Sequence, residues 1–460
     1  MLFNSHIFML LFLPLLLAGW YFLNWKKKFQ LAQGYLIGMS LWFYAYANLQ
    51  YLWLLLFSCL IGWLLSCLPE KIFSEKGKKV LTGVGCVFHL GLLGYFKYSN
   101  FFLENLNTVF HTDFPMLQIL LPVGISFYTF QQLAYLIDRC RRDAPRDSFF
   151  DYLTFMVYFP QLLQGPILLR SEFMGQLKEP ERRRFHAERF SEGIQFFVFG
   201  LAKKVLLADT LAKAVNYGYS NVSMLDSISA LLLAVGYLTE LYFDFSGYCD
   251  MAVGLGKMIG LEVAENFDAP FHSASVKEFW RRWHMTLGRF FTRYVYIPLG
   301  GNRKGKMRTL CNVMIVMLLS GLWHGAAWTF VLWGFLHGVG MIWDNLEHPH
   351  LPKKWMRQAA TFAYVCMTFV FFRAESIAQG VDVLKSIVSV KWNGFVLQMA
   401  SALDMTECYI ITKALSMKLP GLLSWFWLGI FVVLIAICFR VLSREKVSGV
   451  VALQRQKGYG

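Results

Sequence analysis

Apolar runs of roughly 17–23 residues, each closed by a short polar or basic cluster, recur along the whole chain. A bilayer core about 30 Å thick needs about 20 such residues per helical crossing, so the pattern predicts a bundle of transmembrane helices. The runs are about Ile7–Leu23, Ala32–Ala47, Leu49–Leu68, Val80–Phe96, Met116–Ile137, Glu192–Val215, Ile228–Phe245, Leu310–Trp343, Ala359–Phe372 and Leu422–Phe439. Leu310–Trp343 is long enough to cross twice around a break at Gly321–Gly325. The expected fold class is an all-α polytopic membrane protein with about 11 crossings and a single domain over 1–460.

Two stretches depart from simple alternation. Phe149–Leu169 is apolar but interrupted by Pro160, Gly165 and Pro166, and basic residues flank both ends. Equal flanks imply entry and exit on one side, so this segment is expected to be re-entrant. Irregular backbone is tolerated at membrane depth only where protein or a cavity surrounds it. Phe267–Arg308 is amphipathic, aromatic and basic, as expected of a segment lying on or dipping into the inner face.

Composition agrees. Apolar residues make up 56% of the chain and charged residues only 16%, against about 25% in soluble domains. The net charge of +15 does not mark a nucleic-acid binder, because the basic residues sit in short clusters between apolar runs: Lys26–Lys28, Lys71–Lys79, Arg139–Arg146, Arg182–Arg184, Arg303–Arg308 and Lys353–Arg357. Cytoplasmic loops carry such clusters, and their order predicts an outside N-terminus and an inside C-terminus, with the basic tail Arg440 to Lys457 inside. The first run lacks a basic leader and a small-residue cleavage site, so it reads as a retained span. The nine cysteines lie mostly inside apolar runs without a C-x-x-C pair and read as small core residues, not disulfides or a zinc site.

Ionisable residues inside apolar runs are the candidates for chemistry, because burying them is costly. His324 lies in Ser320-Gly321-Leu322-Trp323-His324-Gly325, central to the long apolar stretch. A neutral imidazole there can take a proton from an attacking hydroxyl, or it can be a hydrogen-bonded core histidine. His284, beside Arg282 and Trp283, suits an interfacial anchor or the lip of a tunnel. Glu240, Asp244 and Tyr248 share one helical face, where the two carboxylates either shape a polar cavity or belong to a structural hydrogen-bond network near the membrane face. Pro122–Gln132 offers polar positions, Gln132 among them, that could line the same interior. His89 and His337 have neighbours typical of packing, and His6, His111, His348 and His350 are terminal or in loops. His324 and His337 have no carboxylate at ligand spacing, so no metal is expected, and there is no G-x-S-x-G elbow or nucleotide fingerprint.

Taken in order, Pro122–Gln131 (PVGISFYTFQ), Tyr158–Ile167 (YFPQLLQGPI), Tyr242–Gly256, Asn266–Leu287, Tyr294–Gly305 (YVYIPLGGNRKG) and Ser320–Gly334 (SGLWHGAAWTFVLWG) resemble the membrane-bound O-acyltransferase family (MBOAT). The likeness is to its bacterial branch that O-acetylates alginate, peptidoglycan and exopolysaccharide, with teichoic acid D-alanyl transfer as a more distant branch. The resemblance implies helices and re-entrant elements around a central tunnel. It implies His324 as the catalytic histidine and His284 as a second functional one, with Trp283, Arg282, Trp323, Tyr242, Asp244, Ser246 and Gln132 along the tunnel. It further implies no permanently bound cofactor, a cytoplasmic donor such as acetyl-CoA or an acyl carrier protein, and a cell-surface polysaccharide acceptor. An extracytoplasmic SGNH-hydrolase-like transferase is the implied partner. One departure is plain: where relatives carry an Arg-Asp pair before the YxYIPLGG tyrosine, this chain has Thr292-Arg293. The alternatives are D-alanyl transfer from a carrier protein, and a transporter that uses Glu240 and Asp244 without making bonds.

Overall fold

The computed structural model describes residues 1–47, 49–67, 74–141, 143, 145–346, 353–405 and 408–437. His348, His350, Cys438, Lys71 and the tail Arg440 to Lys457 lie outside the described residues. Within them the regular structure is helical and there is no strand. In chain order we number α1 Phe8–Trp25, α2 Phe29–Ala47, α3 Leu49–Cys67, α4 Glu75–Phe110, α5 Ile125–Arg141, α6 Phe149–Val157 and α7 Arg170–Lys178. Then come α8 Ala187–Ala202, α9 Asp209–Ser220, α10 Ser227–Ile259, α11 Val276–Arg282, α12 Met285–Phe291, α13 Lys306–His324, α14 Trp328–Asn345, α15 Lys354–Arg373, α16 Ile377–Val388, α17 Phe395–Ser401, α18 Tyr409–Lys418 and α19 Pro420–Ile437.

Among the described residues, six helices are long and apolar enough to cross a bilayer: α1, α3, α4, α10, α13 and α19. They are apolar on the outside as well as the inside. Only 28% of α1 is buried, and Leu10, Leu11, Leu15 and Phe22 face outward. In water such a surface would aggregate; in hydrocarbon it is the lipid-facing side. The protein is therefore an all-α polytopic membrane protein. The difference from the expected 11 or so crossings has a physical source in helices such as α5, which buries Gln131, Gln132 and Asp138. A helix wrapped in protein needs no apolar sequence of its own.

The chain forms two compact units. The first comprises Met1–Val198, Tyr248–Glu265 and Arg289–Val295. In it, Phe8, Phe12, Leu16 and Trp20 recur every fourth residue and bury one stripe of α1, where Phe3, Phe43 and Phe159 pack their rings. Trp20 Nε1 donates to the Ile259 carbonyl at 3.0 Å. The segment after α6 is broken at Tyr158, as Pro160 and Gly165 lead one to expect, and its residues are almost all buried. Gly165 lies against the backbone of Pro160 and Gln161, leaving no room for a side chain. At the two ends of this segment, the Arg170 guanidinium donates to both oxygens of Asp147, Nε to Oδ2 at 2.6 Å. The pair thus brings the two ends of this segment together.

The second unit comprises Phe199–Gly247, Asn266–Gly288 and the chain from Tyr296 onward. Its core joins Leu211, Val215, Leu233, Leu238 and Phe243 to Val365, Phe369, Val396, Met399 and Phe431. Asp226 starts α10 by accepting from Ser229 N at 2.8 Å while Ser229 Oγ accepts from Asp226 N at 2.8 Å. The other Asp226 oxygen accepts from the Asn393 and Gly394 amides at 3.2 and 3.1 Å, tying the start of α10 to the turn before α17.

Candidate functional site

Both candidate histidines stand in the second unit, and their positions follow from two local turns. The long apolar stretch is broken where expected: α13 ends on His324, and α14 begins at Trp328 after the extended Ala327. Gly321 and Gly334 let the two helices touch backbone to backbone, since a side chain at Gly321 would overlap the Phe330 carbonyl and one at Gly334 the Met317 carbonyl. That contact places His324 at the mouth of the hairpin, half-buried. Its ring lies 4.8 Å from Trp323, 5.2 Å from Trp333 and 5.1 Å from Phe372.

His284 occupies the turn between α11 and α12 with φ of +46°, a left-handed conformation uncommon for a residue with a side chain. It is only 1% exposed. Its Nδ1 is 3.1 Å from Asn266 Oδ1, which also accepts from Thr286 N at 3.1 Å and Thr286 Oγ1 at 3.0 Å. Its Nε2 is buried with no hydrogen-bond partner among the described residues. Phe245 meets its ring edge to face at 4.7 Å, and the His284 and His324 rings are 6.5 Å apart.

Other residues expected at the site divide. Trp283 is buried in an aromatic cluster with Tyr242, Phe267, Phe271 and Phe279. Trp323 lies 6.1 Å from His284. Arg282 pairs with Glu278 at 2.9 Å and donates to the Asp268 carbonyl at 3.3 Å. Asp244 and Glu240 part company: Asp244 pairs with Lys204 at 2.5 Å, and Lys204 also holds Asp209 at 2.7 Å, whereas Glu240 Oε2 is buried without a hydrogen-bond partner. Ser246 Oγ is buried and likewise unpartnered among the described residues. Gln132 belongs to the first unit, where its amide accepts from Tyr152 and donates to Cys59 Sγ at 3.6 Å.

His337 is a packing residue, as its neighbours in the sequence lead one to expect. The Trp280 indole N–H can only donate, so His337 Nδ1 accepts it at 3.2 Å and the proton sits on Nε2, 2.9 Å from Thr368 Oγ1. Both nitrogens are thereby engaged. The sequence reading passed over three contributors: Asn266, Trp333 and Phe372. Asn266 and Trp333 lie inside the motifs quoted above, but no periodicity links them to a histidine 18 residues away or on another helix.

An unpartnered imidazole nitrogen beside a second histidine, ringed by aromatic side chains, is suited to moving one proton in a water-poor setting. The comparisons fit this chemistry. The model of the membrane-bound O-acyltransferase family matches residues 141–379, a span holding both histidines. The chain belongs to the MBOAT family. A peptidoglycan O-acetyltransferase of Helicobacter pylori is 35% identical over 423 residues, covering 85% of this chain and 80% of that protein. A protein named probable alginate O-acetylase, from Azotobacter vinelandii, is 39% identical over 389 residues, with 82% and 76% covered. The teichoic acid D-alanyltransferase of Bacillus subtilis is 28% identical over 274 residues, with 55% and 69% covered. This MBOAT protein is a membrane O-acyltransferase, and its relatives act on surface polymers.

Proposed function

We propose that the protein transfers acetyl groups from a cytoplasmic donor, acetyl-CoA or an acyl carrier protein, across the membrane to a cell-surface polysaccharide or to an extracytoplasmic SGNH-hydrolase-like partner. It works in the bacterial inner membrane with its N-terminus outside and its C-terminus inside, in keeping with the basic loops. The observation that carries the reading is the pair of histidine rings 6.5 Å apart in one aromatic shell. The longer match to O-acetyltransferases than to the D-alanyltransferase favours acetyl as the group.

In the step, the acceptor hydroxyl oxygen attacks the donor's thioester carbonyl, a C–O bond forms and the C–S bond breaks. His324 takes the hydroxyl proton and passes it to the departing thiolate, so the base is regenerated. Such a base contributes roughly 10²–10⁴-fold in rate. His284 stands beside it, and Tyr242, Trp283 and Trp323 help to keep water out.

The test is mass spectrometry of surface polysaccharide from cells carrying the wild-type, deleted, His324→Ala or His284→Gln protein. Acetyl should vanish in the deletion and in His324→Ala alike, with the variant still inserted. Full acetylation in His324→Ala removes the base; full acetylation in the deletion removes the function. Loss of an alanyl instead of an acetyl mass would move the donor to the D-alanyl branch.

A further inference from the structure

We propose that Asn266 is a positioning residue that fixes His284 as the Nδ1–H tautomer, leaving the Nε2 lone pair to accept a hydrogen bond beside the base, His324, in acyl transfer. The catalytic half of this rests on the acyltransferase reading above; the tautomer does not.

The argument begins with a group whose role is unambiguous. The Thr286 backbone N–H can only donate, and it reaches the Asn266 side chain at 3.1 Å. The atom it meets is therefore the carbonyl oxygen of the amide. His284 Nδ1 contacts the same oxygen at 3.1 Å, and two acceptors would repel, so Nδ1 carries the hydrogen. A neutral imidazole has one N–H, and Nε2 is left with its lone pair. That nitrogen is buried and has no hydrogen-bond partner among the described residues. An acceptor left bare in an interior is costly, and one beside a second histidine is placed to meet a ligand, a water or a reacting proton.

Asn266 is itself held firmly. Its backbone carbonyl accepts from Met285 N at 3.0 Å, and two residues on, Asp268 N donates to the Arg282 carbonyl at 2.9 Å. The Arg282 guanidinium returns a bond to the Asp268 carbonyl. The stretch 266–268 is thus laced to 282–286 from both sides, and His284 is held in its left-handed turn between the laces. A hydrogen bond from a second residue commonly sets which imidazole nitrogen does the chemistry. Here an amide oxygen does so without adding charge.

The test is 15N magic-angle-spinning NMR of the full chain, labelled on histidine and held in lipid, with His284 assigned by subtracting the His284→Gln spectrum. Wild type should show His284 protonated at Nδ1 and bare at Nε2. Asn266→Leu, which removes the acceptor, should move the proton onto Nε2 and lower surface acetylation about 10²-fold, within the range that acid–base groups contribute. Asn266→Asp, which keeps an acceptor at the same place, should restore both. Thr286→Val should leave the tautomer unchanged, because the backbone N–H remains. A wild-type proton on Nε2, or an Asn266→Leu spectrum identical to wild type, overturns the assignment without any need of activity. A shifted tautomer with acetylation intact overturns its catalytic half. Full acetylation by His284→Gln overturns the role of His284 in the reaction while the tautomer result stands.

Discussion

Arg170 forks onto Asp147 and so fastens the two ends of the broken, protein-covered segment between them. Both side chains are withdrawn from solvent, Asp147 completely. Removing one partner from such a pair leaves a buried charge uncompensated and costs about 3–5 kcal/mol. Asp147→Ala should therefore lower the unfolding midpoint in detergent sharply, and Arg170→Ala equally so. The double variant Asp147→Leu/Arg170→Leu should recover most of the loss, since no bare charge remains. A double variant no better than the singles would show that the geometry of the fork, not its charge balance, is what matters.

The Trp280–His337–Thr368 chain gives a contrasting prediction. Trp280→Phe keeps the ring stack but leaves His337 Nδ1 without its donor, at a cost of about 1–3 kcal/mol. Stability should fall by that amount, while acetylation per folded molecule stays near wild type. Loss of acetylation without loss of stability would place His337 in the reaction.

Gly321→Ala tests the hairpin. The added methyl has the Phe330 carbonyl in its way, and backbone cannot step aside as a side chain can. Overpacking of this kind costs about 1–3 kcal/mol. It should also push α13 from α14 and move His324, so acetylation should drop further than the fraction of folded protein does.

Asp226 gives the pH dependence. Burial pushes its carboxyl up, but the hydrogen bonds from Ser229, Asn393 and Gly394 outweigh this and hold it below the ordinary carboxylate value. A depressed carboxylate stabilises the fold above its unfolded value and ceases to do so as pH falls through its folded value. Asp226→Asn should lower stability at neutral pH by about 1–3 kcal/mol, because an amide NH₂ replaces one of two accepting oxygens and leaves backbone donors unpaired. The gap to wild type should close in acid. Thermal melts of both proteins from pH 7 down to pH 3 check the crossover.

Much of this could be read from the sequence, and the parts that could not share a cause. The apolar runs covered the six helices long and apolar enough to cross a bilayer, and Gly321–Gly325 marked the break that ends α13 at His324. Pro160 and Gly165 marked the broken segment correctly. The run Met116–Ile137 announced α5, but the helix starts only at Ile125 and buries its glutamines and Asp138 in protein. The partition of Glu240 from Asp244 was also hidden, because it depends on Lys204, 40 residues away. The left-handed turn at His284 carries no glycine or asparagine to announce it. The Asn266 contact follows from that turn, so it too was invisible in the linear order.

The Gly321–Gly334 contact has one more consequence. Where two helices meet through side chains, the joint can repack and the angle can drift; where they meet through bare backbone, it has a single setting. α13 runs 19 residues, about 28 Å, and carries His324 as its last residue. The histidine therefore stands at the tip of a stiff rod whose length is counted in residues. Changes among Trp323, Trp333 and Phe372 would therefore alter what surrounds the His324 ring without moving it.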